Sequence, residues 1–443
     1  MNRAVSYTAG ELAVSGRDNI PSELLSGAGL VYSSPATLAY NSPGAEGYGV
    51  KRAALSVPES VMLIVAPGCC GRNTSLVSNM PGYRNRFFYL LMDETDLVTG
   101  RHLTKVPEAV SEVVSFLDGL EGTGVPKAVM ICITCVDALL GTDMERVARS
   151  CETALREAGY KDTRVKPCYM YALTREGNRP PMVHVRQTIY SLLPECRKDP
   201  QAVNILGSFA PTRSDDLVSI LNSSGYKTIR QLGDITAYDE FMKMGEASLN
   251  IVTNPEARAA AEDLRVRLNI PYVELTRVYD AEKIDRQYRS LIKALGAGDI
   301  NSAEEQRDRA RSAAEKLRQQ FPETVFAVGS CCNADALELS LSLVRMGFKV
   351  SEIYTAIDPA QFVYVRKLAE LSGNTRIYCN MEPTMINYDV SASCAHVSVG
   401  KDAQYYNPGI AGVSWNSDVQ PFGYQGLADL LTQVYDRLRE EHR

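Results

Sequence analysis

Histidine is scarce in this chain: four residues, His102, His184, His396 and His442, among 443. A zinc or non-haem iron centre built on several imidazoles is therefore not expected. No uninterrupted apolar run reaches the roughly 18 residues that read as a membrane-spanning helix. The opening residues, Met1-Asn2-Arg3-Ala4-Val5-Ser6-Tyr7, lack the apolar stretch of a secretory signal. A basic surplus is missing too. Against 47 Lys and Arg stand 53 Asp and Glu, a net charge of −6, with no basic stripe for nucleic acid and no like-charge tail. The expectation is a cytoplasmic protein with neither nucleic acid nor membrane among its partners.

Hydrophobic residues make up 45% of the chain and charged ones 23%, as in ordinary globular proteins with large cores. The length suggests more than one domain. Eleven cysteines are many for a cytoplasmic protein of this size. An odd number fits poorly with a fully paired disulfide framework, and a chain of this length needs none. Reduced thiols, some of them metal ligands, are the better reading.

Two cysteine-bearing turns stand out: Pro67-Gly68-Cys69-Cys70-Gly71 and Cys132-Ile133-Thr134-Cys135. Each follows an apolar run that reads as a buried parallel strand, Val61–Val65 and Ala128–Ile131. In open α/β sheets ligands gather outside the carboxyl ends of the strands. Thiolates delivered there from two strands can converge on one soft metal centre, such as an iron–sulfur cluster. Cys132 lies in the strand body and reads as core. Cys151, Cys168 and Cys196 have no partner motif and read as structural.

Strand and helix patterns alternate along most of the chain. Strands are expected at Arg86–Met92, Lys127–Thr134 and Val165–Met170, then at Leu249–Val252, Tyr272–Leu275, Val325–Val328, Val350–Tyr354 and Arg376–Cys379. Helices are expected at Val106–Leu120, from Thr142-Asp143 to about Gly159, and at Val183–Leu193, Asp215–Asn222, Glu256–Leu268, Ala281–Leu295, Ser302–Gln320, Ala334–Met346, Pro359–Leu371 and Gly423–Arg439. Asp143 is well placed as a helix cap or first-turn acid. Such alternation predicts parallel sheets with right-handed crossovers. The fold class is α/β, with domains expected over residues 1–200, 201–300 and 301–443. Residues 1–60, rich in Gly, Ser, Pro and Ala, are expected to wrap the first domain. The Gly329-Ser330 turn after a strand resembles a phosphate-binding turn, without the full glycine-rich fingerprint.

Four stretches, in order, resemble component 1 of the nitrogenase superfamily, which includes nitrogenase catalytic subunits, cofactor-assembly homologues and tetrapyrrole reductases. Pro67-Gly68-Cys69-Cys70-Gly71 is similar to its glycine–cysteine–glycine cluster turn. Asp93-Glu94-Thr95-Asp96-Leu97-Val98-Thr99-Gly100 is similar to its acidic segment. Ile133 to Asp143 is similar to its threonine–cysteine, then glycine–aspartate, segment. Val413-Ser414-Trp415 with Gln420 to Gly426 resembles its last turn and final helix start. The resemblance implies three Rossmann-like domains, a cluster at the interface with an identical or homologous second subunit, and an ATP-dependent iron–sulfur reductase as electron donor. Carried over residue by residue, it makes Cys135 one cluster ligand, and Cys70 or its neighbour Cys69 another.

The chain departs from the family pattern in two places. A third family cysteine would fall near Tyr40–Gly44, where this chain has none. Ser42 or Tyr40 could supply oxygen, or Cys69 and Cys70 could supply both sulfurs. A single [4Fe-4S] cluster completed by a partner subunit is expected rather than the larger eight-iron cluster. The second departure is at the catalytic cofactor. No cysteine occurs between Cys196 and Cys331, and the late histidine position is Val413. Reduction of dinitrogen on that cofactor is not expected. A second metallocluster or a bound substrate in an inter-domain cavity is left open, with Cys331, Cys332, Cys379, Cys394 and His396 as candidate lining and reduced core thiols as the alternative.

The function expected is a nitrogenase-like oxidoreductase subunit that passes low-potential electrons from the reductase to a small-molecule substrate. A scaffold or carrier for a metallocluster, without turnover, is the alternative. Arg86, Arg101, His102 and Lys105 flank the acidic segment and read either as solvated charge or as part of a reductase docking surface. Tyr405-Tyr406 reads either as the border of a substrate pocket or as a turn with packed aromatics.

Overall fold

The computed structural model describes residues 3–25, 53–68, 82–133, 141–169, 180–207, 215–417 and 420–441. Its strands are short apolar runs, and its crossovers are helices that cover both sheet faces. β1 (Tyr7–Thr8) opens the chain and leads into the helix Ala9–Ser15. Thr8 caps that helix: its hydroxyl accepts from the Glu11 N–H, and Glu11 reaches back to the Thr8 N–H at 2.7 Å.

The first parallel sheet is built from β2 (Ser60–Ala66), β3 (Phe87–Leu91), β4 (Ala128–Ile133) and β5 (Arg164–Tyr169), in the order β3-β2-β4-β5. Every residue of β2 is buried, as an unbroken apolar run covered on both faces must be. Alternate residues serve two cores. Val61, Leu63 and Val65 join Val129 and Ile131 against Val106, Val110 and Val114 of the helix His102–Asp118 and Val147, Cys151 and Leu155 of the helix Met144–Glu157. Met62, Ile64 and Ala66 join Met130 and Cys132 against Val185 and Ile189 of the helix Pro181–Tyr190. That second core runs on into the next sheet, through Leu206, Val252 and Leu264.

The next sheet is also parallel: β6 (Asp199–Leu206), β7 (Thr228–Gln231), β8 (Ala247–Val252) and β9 (Tyr272–Glu274), in the order β7-β6-β8-β9. Two buried asparagines pair across it, Asn204 Nδ2 donating to Asn250 Oδ1 at 2.9 Å. The third sheet holds β10 (Val325–Gly329), β11 (Lys349–Tyr354), β12 (Arg376–Tyr378), β13 (Val397–Val399) and β14 (Ala411–Val413). Its order is β1-β12-β11-β10-β13-β14, all parallel except the antiparallel edge strand β1. The expected α/β class with three parallel, Rossmann-like sheets is what the chain adopts. By contacts the chain forms two compact units. One is Pro43–Pro211 with Thr228–Glu274, which holds the first two sheets; the other is Met1–Ser42, Thr212–Lys227 and Leu275–Arg443, which holds the third.

The start of the chain corrects one expectation. Residues 7–24 do not wrap the first sheet. β1 pairs with β12, Ala9 N–H donates to Thr375 O at 2.9 Å, and Ile357 N–H donates to Leu24 O at 2.7 Å. The physical reason is the edge of the third sheet, where β12 would otherwise present unpaired backbone groups.

The final helix, Gly423–Glu441, starts on a buried carboxylate. Asp216 Oδ2, in the helix Asp215–Ser223, accepts from the Tyr424 N–H at 2.6 Å and the Tyr288 hydroxyl at 2.9 Å. Gly423 has φ +66°, and a methyl group on it would overlap both Asp216 and Tyr288. This explains the glycine of Phe422-Gly423-Tyr424. Gly423→Ala is expected to lower stability by about 2–4 kcal/mol, from left-handed strain plus a displaced buried hydrogen bond. Urea unfolding reads this directly; an unchanged midpoint would refute the account.

Candidate functional site

The carboxyl end of the first sheet is where the two cysteine turns leave it. β2 and β4 are adjacent and parallel, with Val65 opposite Ile133. The chain therefore leaves both strands at the same level, about 4.8 Å apart. Cys69 and Cys70 follow β2 by three and four residues, and Cys135 follows β4 by two. Cys69, Cys70 and Cys135 themselves lie outside the described residues, as do Tyr40 and Ser42. The described part of the first turn is Pro67 and Gly68. The strand end is tied to its neighbour on the other side: Ala66 O accepts from Met92 N–H at 3.0 Å and from the Tyr89 hydroxyl at 2.8 Å. Gly68 lies against Leu91 at the end of β3.

The acidic segment after β3 forms a short helix, Glu94–Val98, with a capping box. Asp96 N–H donates to Asp93 Oδ1 at 2.7 Å, and Asp93 N–H to Asp96 Oδ2 at 3.3 Å. Asp96 is buried, with Lys105 Nζ at 2.5 Å and Arg101 Nε at 3.7 Å. The Lys105 hydrogen bond, the Asp93 N–H and the two cations hold its carboxyl below the ordinary range, against the opposing effect of burial. His102 is buried and stands between two connections. Its Nδ1 lies 3.3 Å from Asp96 O, and its Nε2 3.2 Å from the Thr142 hydroxyl. Asp143, the next residue, caps the helix Met144–Glu157 as its sequence position suggested, accepting from Arg146 N–H at 2.9 Å.

The four basic residues expected to flank this segment separate into different roles. Arg86 belongs to the opposite end of the sheet. Its guanidinium donates to Leu55 O, Val57 O and Ser60 O at 2.6, 3.1 and 3.0 Å. There it lines a cleft of about 460 Å³ with Glu59, Arg84 and Asn85, at the amino ends of β2 and β3. His102 and Lys105 are engaged with Asp96, and Arg101 keeps an exposed side chain. What this region leaves to solvent is mixed: Leu91 at 59%, Val98 at 84% and Leu103 at 45% exposure, among exposed Asp93, Glu94, Thr95, Thr99 and Arg101. Sequence reading missed this because single exposed apolar residues carry no periodic signal.

The third sheet ends differently. After Gly329 the backbone N–H groups of Ser330 and Cys331 point to one buried carboxylate, Asp402, at 2.8 and 3.1 Å. Asp402 also accepts from the Ser330 hydroxyl, Ala403 N–H and Asn380 Nδ2 at 3.1, 3.0 and 3.1 Å. Burial pushes its carboxyl up while these donors hold it down, with a net rise. The turn that resembled a phosphate site thus grips a carboxylate of its own chain. A methyl group on Gly329 would overlap Asp402, so the glycine is there to admit that side chain. Burial, with the nearby Asp402 carboxylate, also pushes the thiols of Cys331 and Cys332 well up. Among the described residues no three His, Cys, Asp or Glu side chains converge as a metal site. Cys379 is buried and Cys394 exposed.

Residues 46–439 match the nitrogenase component 1 type oxidoreductase family. The chain belongs to that family. Two solved structures with similar folds are "Nitrogenase Cp1 at pH 6.5", at TM-score 0.69 and 15% identity over 96% of this chain and 97% of that one, and "Nitrogenase Cp1 at pH 5", at TM-score 0.63 and 15% identity over 95% and 91%. No curated protein matches it. Family membership makes the chain a nitrogenase-like oxidoreductase, from a family that binds iron–sulfur clusters and works with an ATP-dependent reductase. No helix among its described residues is long and apolar enough to cross a membrane.

Other sequence readings resolve within this nitrogenase-like scaffold. Cys132 is buried in β4 opposite the buried Cys168 of β5, and Cys151 is buried with its thiol pushed up to about 12. These three are core thiols. Tyr406 is packed, stacked on Tyr354 with ring centres 5.0 Å apart. Val413 is buried in β14. Trp415 turns at φ +45° and donates to the Tyr279 hydroxyl at 2.5 Å.

The lowered Asp96 carboxyl carries a pH signature. A carboxyl held below its unfolded value of about 4 stabilises the fold above that pH, and the contribution fades as pH falls through the lower folded value. Melting curves of wild type and Asp96→Asn between pH 2 and 7 are expected to show a gap that is constant above about pH 5 and narrows toward pH 2. A gap that stays the same width in acid would remove Asp96 ionisation from the account.

Proposed function

We propose that this nitrogenase-like oxidoreductase is an iron–sulfur reductase subunit that passes low-potential electrons from an ATP-dependent reductase partner to a small molecule other than dinitrogen. Cys135 and Cys69 or Cys70 would hold a cluster, most simply [4Fe-4S], completed by an identical or homologous second subunit. The observation that carries this reading is the register of β2 on β4, which starts both cysteine connections from neighbouring strands at one level. Cysteine is also the donor that iron–sulfur clusters take. When bound, such a cluster supplies one-electron chemistry at low potential; the protein's part is to place and tune it.

Three observations support the rest. The acidic segment next to this strand end is anchored through Asp96, and exposed Leu91, Val98 and Leu103 stand there among Asp93, Glu94 and Arg101, a mixed apolar and charged surface suited to docking. The catalytic-cofactor ligands of nitrogenase proper have no counterpart: the late position is Val413, buried in a strand. The third sheet's end is closed by Asp402, which disfavours a cluster-free nucleotide-binding role. The buried Val413 also suits a carrier that holds a metallocluster without turnover. Transfer of bound cluster to an acceptor protein, against repeated turnover with reductase and ATP, separates the two.

Anaerobic iron and acid-labile sulfide analysis with EPR is the direct test. About four irons per cluster are expected in the wild type on the proposed ligation, with loss in Cys135→Ala and in the Cys69→Ala, Cys70→Ala double variant. No iron after reconstitution would end the reading. The docking surface has its own check. Val98→Glu and Leu103→Glu are expected to leave iron content unchanged and weaken association with the reductase about tenfold or more, as charge placed in an apolar contact does. Equal affinity would move the docking site elsewhere.

A further inference from the structure

We propose that the cleft at the amino end of the first sheet binds a small organic carboxylate, with Arg86 at its inner end and Arg84 at its rim. Three connections build it: residues 55–60 before β2, 84–86 before β3 and 122–126 before β4. The sheet brings them to one level. Met62 lies opposite Phe87 and Ser60 opposite Ala128, and the Lys127 N–H donates to Glu59 O at 2.9 Å. The cleft's volume of about 460 Å³ is that of a small-molecule site. β2 runs from Ser60 to Ala66, so at about 3.3 Å per residue roughly 20 Å separates this cleft from the end where the cysteine turns depart. It is a second site, independent of the cluster reading.

Arg86 is the group that calls for a ligand. Its Nε and Nη2 donate only to neutral oxygens, those of Leu55, Val57 and Ser60, the Ser60 hydroxyl at 3.1 Å. Among the described residues no carboxylate pairs with it, and its Nη1 makes no hydrogen bond yet keeps access to solvent. Burial holds the guanidinium below its ordinary value, the sign of a charge that has lost water without gaining a counter-charge. A carboxylate against Nη1 supplies one, in the geometry a guanidinium favours. The backbone gives an independent sign. Glu59 at φ +54° and Asn85 at φ +60° both line the cleft, two of the four left-handed residues other than glycine among those described. Such outliers collect where a site needs a fixed shape. Glu59 Oε1 accepts from the Tyr238 N–H at 3.0 Å, which keeps its charge at the cleft. Against Arg84 and Arg86 the balance is one positive charge, which suits a monoanion and disfavours polyphosphates. Leu55, Val61, Leu117 and Val125 line the remainder and give the ligand's apolar body a surface to lie on.

Titration calorimetry of the full chain with 2-naphthoate tests the proposal, with 2-naphthamide as the uncharged counterpart and pyrophosphate as a small polyanion. 2-Naphthoate is expected to bind at one site per chain, about tenfold or more tighter than the amide, the effect of a charge-assisted hydrogen bond. Pyrophosphate is expected to bind more weakly than 2-naphthoate. Arg86→Lys should weaken 2-naphthoate about tenfold, since an ammonium lacks the fork. Arg84 and Thr236 are exposed residues of the cleft, so their variants decide the matter if Arg86→Lys fails to fold. Arg84→Gln should weaken binding about threefold, as loss of an exposed charge does, and Thr236→Trp should abolish it by filling the cleft, both with melting temperatures like wild type. In hydrogen exchange, 2-naphthoate should slow residues 55–61, 84–87 and 122–128. Equal affinity for acid and amide overturns the role of Arg86. Binding that survives Thr236→Trp, or that protects other segments, overturns the location. Absence of 2-naphthoate binding overturns the site itself, whatever iron the chain holds.

Discussion

The pairing of β2 with β4 is the constraint on which the rest depends. A parallel pair with Val65 opposite Ile133 makes two distant stretches of sequence end side by side. Neither strand can slip by one residue, because alternate side chains feed different cores. Val61, Leu63 and Val65 belong to one and Met62, Ile64 and Ala66 to the other. Hydrophobic burial on both faces therefore does more than hold the sheet together. It sets the level at which the two cysteine connections begin, and a thiolate site needs that accuracy before any ligand is bound.

Buried carboxylates do the second part of the work. Asp96, Asp216 and Asp402 each sit where a chain segment changes direction; Asp96 and Asp216 each take one backbone N–H and Asp402 several, along with side-chain donors. An ionised carboxylate stripped of water is costly unless such donors replace the water. The cost gives them their specificity, since the native turn is what brings these donors together. Glu338 repeats the pattern, taking Lys283 Nζ, the Tyr279 N–H and the Ser342 hydroxyl. Burial pushes its carboxyl up even so. These anchors are made from polar residues that hydrophobic periodicity does not register.

That difference explains what was legible in the sequence. Long apolar runs and amphipathic stretches were read to within a few residues: β2, β4, β10, β11 and the helices Ala281–Leu295 and Gly423–Glu441 lie where the pattern put them. The short strands β7, β13 and β14 were not read. Thr228-Ile-Arg-Gln231, Val397-Ser-Val399 and Ala411-Gly-Val413 are too brief to show a period, and they become strands only because a neighbouring strand offers its edge. The pairing of β1 with β12 was hidden for the same reason, since its partner lies more than three hundred residues away. At the site, the cysteine turns and the acidic segment were legible as motifs. The His102–Thr142 contact was not, because forty residues separate its partners and only the sheet order brings them together.

The ends of the first and third sheets put one topology to opposite uses. At the third, two N–H groups of a strand-end turn are satisfied by Asp402, an internal ligand attached to the same chain. Its effective concentration leaves an external anion little chance to compete. At the first, the Tyr89 hydroxyl donates to Ala66 O at the end of β2, and the polar groups that follow β3 and β4 are joined to one another through Asp96, His102 and Thr142. Internal closure thus removes the Gly329-Ser330 turn as a seat for an external anion.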